Sequence, residues 1–407
     1  MNCGLLGEKL GHSYSPEIHR YLGDYSYTLF EKKPEELRDF LLNGDFSGLN
    51  VTIPYKKDVI AYCDALSPIA RQLGAVNTIV KDNDGKLTGH NTDYYGFRSM
   101  LQHAGLDPKG KRVLVLGTGG ASVTVQAVLK ALGAKVTVIS RTGEYNYTNM
   151  YRFYSTRIIV NATPAGMYPH NGTTLVDLSR FKKLEGVLDL IYNPARTRLL
   201  LDAEAMGIPA VNGLWMLVAQ AKESAEWFTG QPIQDCLIQS IYDTLCDKME
   251  NIILIGMPGS GKSTIGKLLS EMLGRHFVDT DEEIVKKAGM SIPEIFAQFG
   301  EEEFRRIETE VIAETCNKSG QIIATGGGCV TQERNYPLLH QNGRIIWINR
   351  NLWSLATDGR PLSQQHTVFE LYEKRKSAYA HFSDFIVENN TDPASVAASI
   401  IAREGKL

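Results

Sequence analysis

The sequence has few cysteines, and their spacing indicates neither a metal site nor a disulfide framework. The six are Cys3, Cys63, Cys236, Cys246, Cys316 and Cys329. No two of them form a Cys-x-x-Cys pair, and none lies near a histidine at a zinc-like spacing. Reduced thiols in a cytoplasmic protein are therefore expected.

The sequence also lacks a large excess of charge of one sign and long apolar runs. The formal net charge is −3, and no block of basic residues provides the electrostatic footprint of a nucleic-acid-binding protein. The first residues lack a basic region before an apolar core, so no signal peptide is predicted. No apolar run approaches the roughly 20 residues that span a bilayer. Small molecules remain as the expected partners, with no nucleic acid and no membrane.

Two segments have the pattern of a buried strand, a glycine-rich loop and a helix. The first is the strand 112–116 with the loop 117–121, and the second is the strand 252–255 with the loop 256–264. After the second loop, apolar residues at i, i+3, i+4 and i+7 from Ile265 predict a helix face. In a chain of 407 residues, two such strand–loop–helix patterns predict two separate α/β units.

The connection between the two units is short. Residues 234–248 are predicted to form a helix that leads almost directly into the strand at Ile252. Because no Gly/Ser-rich or Pro-rich linker intervenes, we expect restricted movement between the halves.

The Gly117 loop has the context of a dinucleotide site. Glycines let the backbone approach a pyrophosphate, and the following helix N-terminus offers free N–H groups. The next strand, 135–139, leads into Arg141, where an NAD site usually has Asp or Glu. An arginine there suits a 2′-phosphate, so NADP(H) is predicted rather than NAD.

An ordered series of motifs then carries a family resemblance. The motifs are residues 11–19, 48–56, 74–78, 89–93, 161–167, 189–194 and 213–220. Together they resemble the shikimate dehydrogenase family, which implies a substrate domain, a Rossmann NADP domain and NADPH-dependent reduction of 3-dehydroshikimate to shikimate.

The resemblance also implies roles for individual residues. Reduction of a ketone needs a proton source beside the hydride donor, and the resemblance assigns this role to Lys56, with Asp93 orienting it. The implied substrate-binding residues are Ser13, Ser15, Thr52, Asn77, Asp93, Tyr192 and Gln220. The implied cofactor-binding residues are Gly117, Gly119, Gly120, Ala121, Ser140, Arg141, Thr142 and Gly213.

The cofactor region departs from the family pattern. The family usually has Asn at the position of Ser140 and often a second basic residue shortly after Thr142, where this chain continues Gly-Glu-Tyr. The stretch 141–161 is too short for the additional helix–strand unit. We therefore expect fewer contacts to the 2′-phosphate of NADP(H) and a cofactor-binding sheet that lacks one strand.

The second glycine loop matches the P-loop pattern Gly-x-x-x-x-Gly-Lys-Ser. Its backbone N–H groups cradle phosphates, Lys262 reaches the β/γ oxygens, and the Ser263 hydroxyl binds Mg²⁺. The predicted ATP-binding residues are Gly256, Gly259, Ser260, Gly261, Lys262, Ser263, Thr264 and Arg360.

The residues after the P-loop carry a second resemblance. The segments 277–281, 296–308 (predicted to lie on one helix), 322–328 and 360–362, followed by Arg375, are similar to the shikimate kinase family. The resemblance implies MgATP-dependent phosphorylation of shikimate. Asp281 would orient the attacking hydroxyl, Asp279 would join Ser263 at Mg²⁺, and Arg360 would neutralise the transferring phosphoryl group. The implied kinase substrate residues are Asp281, Arg305, Gly326, Gly327, Gly328 and Arg375. The segment between residues 349 and 367, which would form a lid over the kinase site, is shorter than is usual in the family.

The combined prediction is a bifunctional enzyme of aromatic-compound biosynthesis. Residues 1–247 would form the dehydrogenase, with a substrate part at about 1–95 plus 213–247 and an NADP part at about 96–212; residues 250–407 would form the kinase. Three alternatives stay open: a shikimate-sensing regulator that has lost catalysis, a dehydrogenase that acts on quinate, and a kinase for another small acid or a nucleotide. Oligomeric state and channelling are left open.

Overall fold

The chain divides into two units in a computed structural model that describes residues 1–11, 13–355 and 368–404. The first unit comprises residues 1–165, 174–192 and 202–244. The second comprises residues 166–173, 193–201 and 245–407.

The first unit begins with a mixed six-stranded sheet in the order β2-β1-β3-β5-β6-β4. Its strands are β1 (Asn2–Gly7), β2 (Ser26–Glu31), β3 (Gly48–Val51), β4 (Ala65–Leu66), β5 (Thr78–Lys81) and β6 (Leu87–His90). Its helices are α1 (Ser15–Leu22), α2 (Leu37–Asn43), α3 (Pro68–Leu73), α4 (Asp93–His103) and α7 (Leu214–Thr229). The buried side chains of Leu6, Leu49 and Ile79 pack with those of α2 in one core, so the sheet forms a fixed base for the loops that follow its strands.

The second sheet of this unit is parallel and has five strands, in the order β11-β10-β9-β7-β8. Its strands are β7 (Arg112–Leu116), β8 (Lys135–Ile139), β9 (Ile158–Asn161), β10 (Gly186–Asp189) and β11 (Ala210–Val211), with helix α5 (Gly120–Ala131). In helix α6 (Arg198–Ala205), residues 198–201 belong to the second unit and residues 202–205 to the first. The strand order reverses at β7, which is where doubly wound sheets bind their ligands. Between β8 and β9 the chain forms only an isolated bridge and a short 3-10 helix, Met150–Phe153, so this sheet has no strand beyond β8.

The second unit is built on another parallel five-stranded sheet, in the order β13-β14-β12-β15-β16. Its strands are β12 (Asn251–Ile255), β13 (Phe277–Asp279), β14 (Ile322–Ala324), β15 (Gly343–Asn349) and β16 (Phe385–Glu388). Its helices are α9 (Lys262–Leu273), α10 (Thr280–Ala288), α11 (Ile292–Cys316), α12 (Asn335–His340), α13 (Val368–Phe382) and α14 (Pro393–Glu404). The predicted α/β architecture is confirmed, and the structure builds it on these three sheets.

The central strand β12 explains why this sheet is covered on both faces. Its side chains alternate between two buried clusters: Ile253 and Ile255 belong to one, and Ile252 and Leu254 to the other. A continuous apolar run is typical of a parallel strand with helices on both sides. This packing fixes the position of the glycine loop that follows β12.

Two helices differ from their predicted form. The helix predicted at 234–248 is α8 (Cys236–Met249), which begins two residues later and ends one residue later. The segment 296–308 was expected on one helix, but α11 is kinked at Gly300, whose φ of 80° and ψ of −179° are not helical. Glycine tolerates that positive φ, so two helical segments meet there at an angle.

Two short segments from the middle of the sequence belong to the second unit. The Ala195 N–H donates to Asn342 Oδ1 at 2.8 Å, and the Arg196 N–H donates to the Gln341 carbonyl at 2.8 Å. The Asn171 amide also donates to Gln341 Oε1 at 2.8 Å. These bonds hold the segments 166–173 and 193–201 against the end of α12 and the start of β15.

Candidate functional sites

Lys56 and Asp93 form a lysine–carboxylate pair in the segments that follow β3 and β6. Lys56 follows β3 in a turn whose backbone is held by the Val76 N–H, which donates to the Lys56 carbonyl at 2.7 Å. Its Nζ lies 2.6 Å from Oδ2 of Asp93, the first residue of α4. The two side chains are 29% and 14% exposed, so the pair is sheltered yet reachable by a ligand. A sheltered ammonium paired in this way can donate a proton and stabilise a developing alkoxide.

Two predicted substrate residues lie beside this pair in a buried polar cluster. Asn77 Nδ2 donates to Thr92 Oγ1 at 3.1 Å, and Asn77 Oδ1 accepts from the Thr92 N–H at 2.7 Å. Thr92 Oγ1 lies 3.5 Å from Gln220 Oε1, and Thr92 immediately precedes Asp93. Through Thr92, the cluster therefore connects Asn77 and Gln220 to the residue that precedes Asp93.

The remaining predicted substrate residues surround the start of α1 and the end of β3. The Ser15 N–H donates to Ser13 Oγ at 3.2 Å, so Ser13 partly serves a turn. The Tyr192 ring contacts that of Tyr14 edge-on, with centroids 6.2 Å apart. Thr52 follows β3, and its N–H donates to the Leu6 carbonyl at 2.9 Å. Burial raises the pKa of the Tyr192 phenol, so it remains a hydrogen-bond donor at neutral pH.

The Gly117 loop leaves open space at a helix N-terminus. Gly117 has a φ of +99°, and a Cβ there would lie 2.7 Å from Thr163 Cγ2. Gly119 caps α5, and a Cβ added at Gly119 or Gly120 would meet no atom within 4 Å. The Ser122 hydroxyl donates to the Gly117 carbonyl at 2.6 Å and closes the loop. This geometry fits a pyrophosphate.

The other predicted cofactor residues have identifiable local contacts. Ser140 Oγ accepts from the Gly143 N–H at 2.8 Å, so this hydroxyl stabilises a turn. Arg141 and Thr142 follow it at the carboxyl end of β8 with exposed side chains. Gly213 caps α7, and a Cβ there would lie 2.1 Å from the Leu190 carbonyl oxygen. Only glycine therefore allows this backbone approach.

A half-buried carboxyl, that of Glu223, lies on α7 near Asp93 and was missed in the sequence analysis. Burial and the neighbouring Glu226 raise the pKa of Glu223 from 4.5 to about 8, although Lys222 opposes the shift. Its Oε2 is sealed from solvent and has no hydrogen-bond partner among the residues described. A carboxyl with a pKa raised to about 8 is mostly protonated at pH 7.

Glu223 makes the stability of the chain depend on pH. Between about pH 4.5 and 8 the folded protein holds a proton on Glu223 that the unfolded chain has lost, so stability falls as pH rises through this window. The Glu223→Gln variant stays neutral and should lose less stability between pH 5 and pH 8 than the wild type. Thermal unfolding midpoints at pH 5, 6.5 and 8 measure the difference. An exposed-carboxyl control, Glu8→Gln, should follow the wild type; an identical pH dependence in all three chains would contradict the assignment.

In the second unit, the P-loop connects β12 to α9. Gly256 has a φ of +146°, and a Cβ there would lie 2.4 Å from the Ile348 carbonyl oxygen. The Lys262 ammonium donates to the carbonyl oxygens of Gly256 and Met257 at 2.9 and 3.0 Å. Asn389, unforeseen from the sequence, donates from Nδ2 to the Ser260 carbonyl at 2.7 Å and braces the loop.

The two aspartates of the segment 277–281 have different local roles. Asp279 caps α10, since its Oδ1 accepts from the Asp281 N–H at 3.0 Å. Its Oδ2 also accepts from the Ser263 hydroxyl at 2.6 Å. A hydroxyl and a carboxylate this close are suitable oxygen donors for Mg²⁺, which usually keeps several waters and takes few protein ligands. Among the residues described, no cluster of three or more His, Cys, Asp or Glu side chains could hold a metal ion.

The three consecutive glycines each make room for a different neighbour. A Cβ at Gly326 would lie 2.7 Å from Asp281 Oδ1, and a Cβ at Gly327 would lie 2.6 Å from the Pro258 ring. A Cβ at Gly328 would lie 2.4 Å from the Arg305 guanidinium. The glycines thus let the backbone pass close to the groups that the sequence analysis assigned to the phosphate loop and the substrate.

Arg305 and Arg375 are buried beside this loop. Arg305 Nη1 donates to Glu308 Oε2 at 2.8 Å, and Arg375 Nη1 donates to the Gly327 carbonyl at 3.2 Å. Glu308 was missed, although its i+3 spacing from Arg305 on the same helix is a signal for an ion pair. Burial raises the pKa of Glu308, while Arg305 opposes the shift. Two buried guanidinium groups form a site for an anionic ligand.

These groups line a single cavity of about 470 Å³ in the second unit. Its lining residues include Gly259, Gly261, Lys262, Ser263, Thr264, Asp279, Asp281, Arg305, Glu308, Gly326, Gly327, Gly328, Arg350 and Arg375. Arg350, at the carboxyl end of β15, was also missed. Arg360, predicted to bind ATP, lies outside the residues that the structure describes. Across the described ranges, no helix has the length and apolar character needed to cross a bilayer.

Comparison with known proteins agrees with this geometry. Residues 258–404 match the family model for shikimate kinase, and residues 5–79 match the model for the substrate-binding domain of shikimate dehydrogenase. Over 264 residues the chain is 37% identical to shikimate dehydrogenase (NADP(+)) of Clostridium perfringens, covering 60% of this chain and 97% of that protein.

Two solved structures show the same fold over the dehydrogenase part. Shikimate 5-dehydrogenase from Thermus thermophilus, in complex with NADP(H) and shikimate, is 30% identical with a TM-score of 0.55, covering 60% of this chain and 99% of that one. Quinate dehydrogenase from Corynebacterium glutamicum, in complex with NAD, is also 30% identical with a TM-score of 0.55, covering 60% and 98%.

Proposed function

The chain belongs to the shikimate dehydrogenase family and carries a C-terminal shikimate kinase domain, and on that premise we propose how its residues perform two consecutive reactions. The first is reduction of 3-dehydroshikimate to shikimate with NADPH. The second is phosphorylation of shikimate by MgATP to shikimate 3-phosphate. Residues 1–247 would carry the first reaction and residues 250–407 the second. One observation carries the proposal: each unit has a sheltered lysine and aspartate suited to its reaction. These are Lys56 with Asp93 in the first unit and Lys262 with Asp281 in the second.

In the reductase, Lys56 would give its proton to the ketone oxygen. NADPH would supply a hydride when bound, and the Lys56 ammonium would protonate the ketone oxygen as negative charge develops on it. Asp93, 2.6 Å away, keeps the ammonium aimed and compensates its charge. Ser13, Ser15, Thr52, Asn77, Tyr192 and Gln220 would bind the hydroxyl and carboxylate groups.

The cofactor would lie along the Gly117 loop, with its pyrophosphate at the N-terminus of α5. The open space at Gly119 and Gly120 supports this position. Arg141 would contact the 2′-phosphate and favour NADPH over NADH. Ala121, Ser140, Thr142 and Gly213 would complete the cofactor contacts.

In the kinase, Asp281 would accept the hydrogen bond of the attacking hydroxyl and orient it. Arg305 and Arg375 would hold the substrate carboxylate through charge-assisted hydrogen bonds. Lys262 and the P-loop N–H groups would stabilise charge on the phosphates, and Arg360 would add a second positive charge. Mg²⁺ would be held by Ser263 directly and by Asp279 through water; their 2.6 Å contact supports the pairing.

The two reactions predict an ordered product sequence in one assay. With 3-dehydroshikimate, NADPH and MgATP supplied to the purified chain, NADPH absorbance should fall first, and ADP should form only as shikimate accumulates. Omitting NADPH should abolish ADP formation, and adding shikimate directly should restore it. Failure to form ADP from shikimate would exclude the kinase reaction, and failure to oxidise NADPH would exclude the reductase reaction.

Quinate is the second candidate for the reductase. The observation that favours it is the quinate dehydrogenase among the solved structures, which matches this chain as well as the shikimate enzyme does. Oxidation of shikimate and quinate should be compared with each of NADP⁺ and NAD⁺. We expect the highest kcat/KM with shikimate and NADP⁺, and a preference for quinate with NAD⁺ would overturn the substrate and cofactor proposal together.

A cytoplasmic location with small-molecule partners is also proposed. No disulfide joins any of the six cysteines, all of which lie in the described part of the chain, and this supports a reducing compartment.

A further inference from the structure

Ser224 occupies the centre of the buried polar cluster beneath the reductase site, although the sequence patterns assign it no role. It lies on α7, one turn after Gln220, and is fully buried. Its hydroxyl lies within hydrogen-bond distance of four groups from four parts of the unit. These are the Gln220 carbonyl oxygen (2.8 Å), Asn50 Nδ2 (2.7 Å), Thr92 Oγ1 (3.0 Å) and Thr78 Oγ1 (3.1 Å).

The direction of each hydrogen bond around Ser224 follows from donor chemistry. A serine hydroxyl has one proton and two lone pairs. The proton goes to the Gln220 carbonyl, because a carbonyl only accepts. Asn50 Nδ2 can only donate, so it takes one lone pair. The second lone pair is left for a threonine hydroxyl, and Thr92, at 3.0 Å, is the nearer of the two.

The amide of Asn50 contacts the same hydroxyl groups. Its Oδ1 accepts from the Tyr27 hydroxyl at 2.7 Å. Its Nδ2 donates to Ser224 and, at 3.2 Å, to Thr78 Oγ1. Since Thr78 accepts from Asn50, its own proton is available for Asn77 Oδ1, 3.1 Å away.

One hydrogen of the Asn77 side-chain amide is thereby left for a ligand. Its Oδ1 accepts from the Thr92 N–H and the Thr78 hydroxyl, and one Nδ2 hydrogen goes to Thr92 Oγ1. The second Nδ2 hydrogen has no acceptor among the residues described. Asn77 can therefore present only a donor to a ligand. A flipped amide would place Nδ2 against the Thr92 N–H, which the cluster forbids.

We infer that Ser224 is the positioning residue that orients the donor of Asn77 and the backbone of Gln220 for the substrate of the reductase. This inference rests on the proposed function of that site. Ser224 touches no substrate itself: it acts through Thr92, which holds the Asn77 amide, and through the Gln220 carbonyl. The substrate group facing Asn77 must accordingly be a hydrogen-bond acceptor, such as a hydroxyl or carboxylate oxygen.

The test compares Ser224→Ala with a second buried serine in the same unit. Ser99 Oγ accepts from Trp215 Nε1 at 2.9 Å, so Ser99→Ala also leaves one buried donor unpaired, but outside the cluster. Both variants of the full chain should lose similar thermal stability. In NADPH oxidation, Ser224→Ala should raise the KM for 3-dehydroshikimate about tenfold with kcat changed by less than about threefold, while Ser99→Ala keeps the wild-type KM.

A near-isosteric variant separates orientation from folding. Ser224→Cys retains a weak donor of similar volume and should give a KM between those of wild type and Ser224→Ala. The KM for NADPH and the kinase rate should be unchanged in all variants. Because shikimate is also the proposed kinase substrate, steady-state reduction rather than calorimetric titration reports the reductase site.

Each outcome bears on a different claim. If the wild-type chain does not reduce 3-dehydroshikimate, the proposed function and this inference fall together. If the wild type reduces it and Ser224→Ala keeps the wild-type KM, or changes KM and kcat just as Ser99→Ala does, only the role of Ser224 is overturned.

Discussion

Replacement of Lys56 by methionine is expected to lower kcat for NADPH oxidation by about 10²–10⁴-fold, the usual contribution of a positioned acid or base. Methionine retains much of the length of the side chain but has no proton to give and no charge to offset the forming alkoxide. It also leaves Asp93 without the partner that lies 2.6 Å away. The KM for 3-dehydroshikimate should change much less than kcat, because the lost interaction strengthens in the transition state.

The neighbouring Lys57 provides a matched control. It is exposed, one residue away in the same turn, and has no place in the proposed mechanism. Lys57→Met should retain the wild-type reductase rate, and both variants should retain the kinase rate with shikimate. A Lys56→Met chain that reduces its substrate within about tenfold of the wild-type rate would assign the proton donor to another group.

Replacement of Lys262 by methionine is expected to lower the kinase kcat by at least about 10²–10³-fold, the effect of removing one preorganised donor from a developing charge. The Lys262 ammonium is buried and is held by two P-loop carbonyl oxygens. When phosphates enter the loop, it can transfer those hydrogen bonds to the β/γ oxygens with little movement. Methionine cannot, so the charge on the transferring group loses its nearest compensation.

The exposed Lys318→Met variant, also in the second unit, controls for the general loss of a positive charge. ADP formation from shikimate measures the kinase, and NADPH oxidation measured in the same sample verifies that the first unit is intact. Reductase activity should be unaffected in Lys262→Met. Retention of the kinase rate in that variant would mean that the P-loop lysine does not stabilise the transition state.

The local patterns of the sequence were sufficient for the architecture. The run at 252–255 before a glycine loop predicted a buried strand, and β12 is that strand, at the centre of its parallel sheet between β14 and β15. The short stretch 141–161 predicted a cofactor sheet without an additional strand, and none occurs between β8 and β9. Both predictions depended on chain length and local conformation, which the sequence specifies directly.

Positions that depend on contacts between distant segments were not predicted. Asn50 and Thr92 lay inside recognised motifs, but neither their bonds nor the role of Ser224 has a local signature. Ser224 is 174 residues from Asn50 and 132 from Thr92 in the sequence. Glu308 was nearer to prediction, since its spacing from Arg305 indicated an ion pair, but its burial did not follow from spacing.

By itself, the sequence determined the succession of strands, glycine loops and helices, and it supplied the chemical groups of both sites. These follow from local conformational preference and from motifs that are continuous in the chain. Only the tertiary structure decided the orientation of the Asn77 amide and the protonation of Glu223, which burial and Glu226 set. Both depend on which polar groups packing brings together away from water, where every donor needs an acceptor and a lone charge is costly.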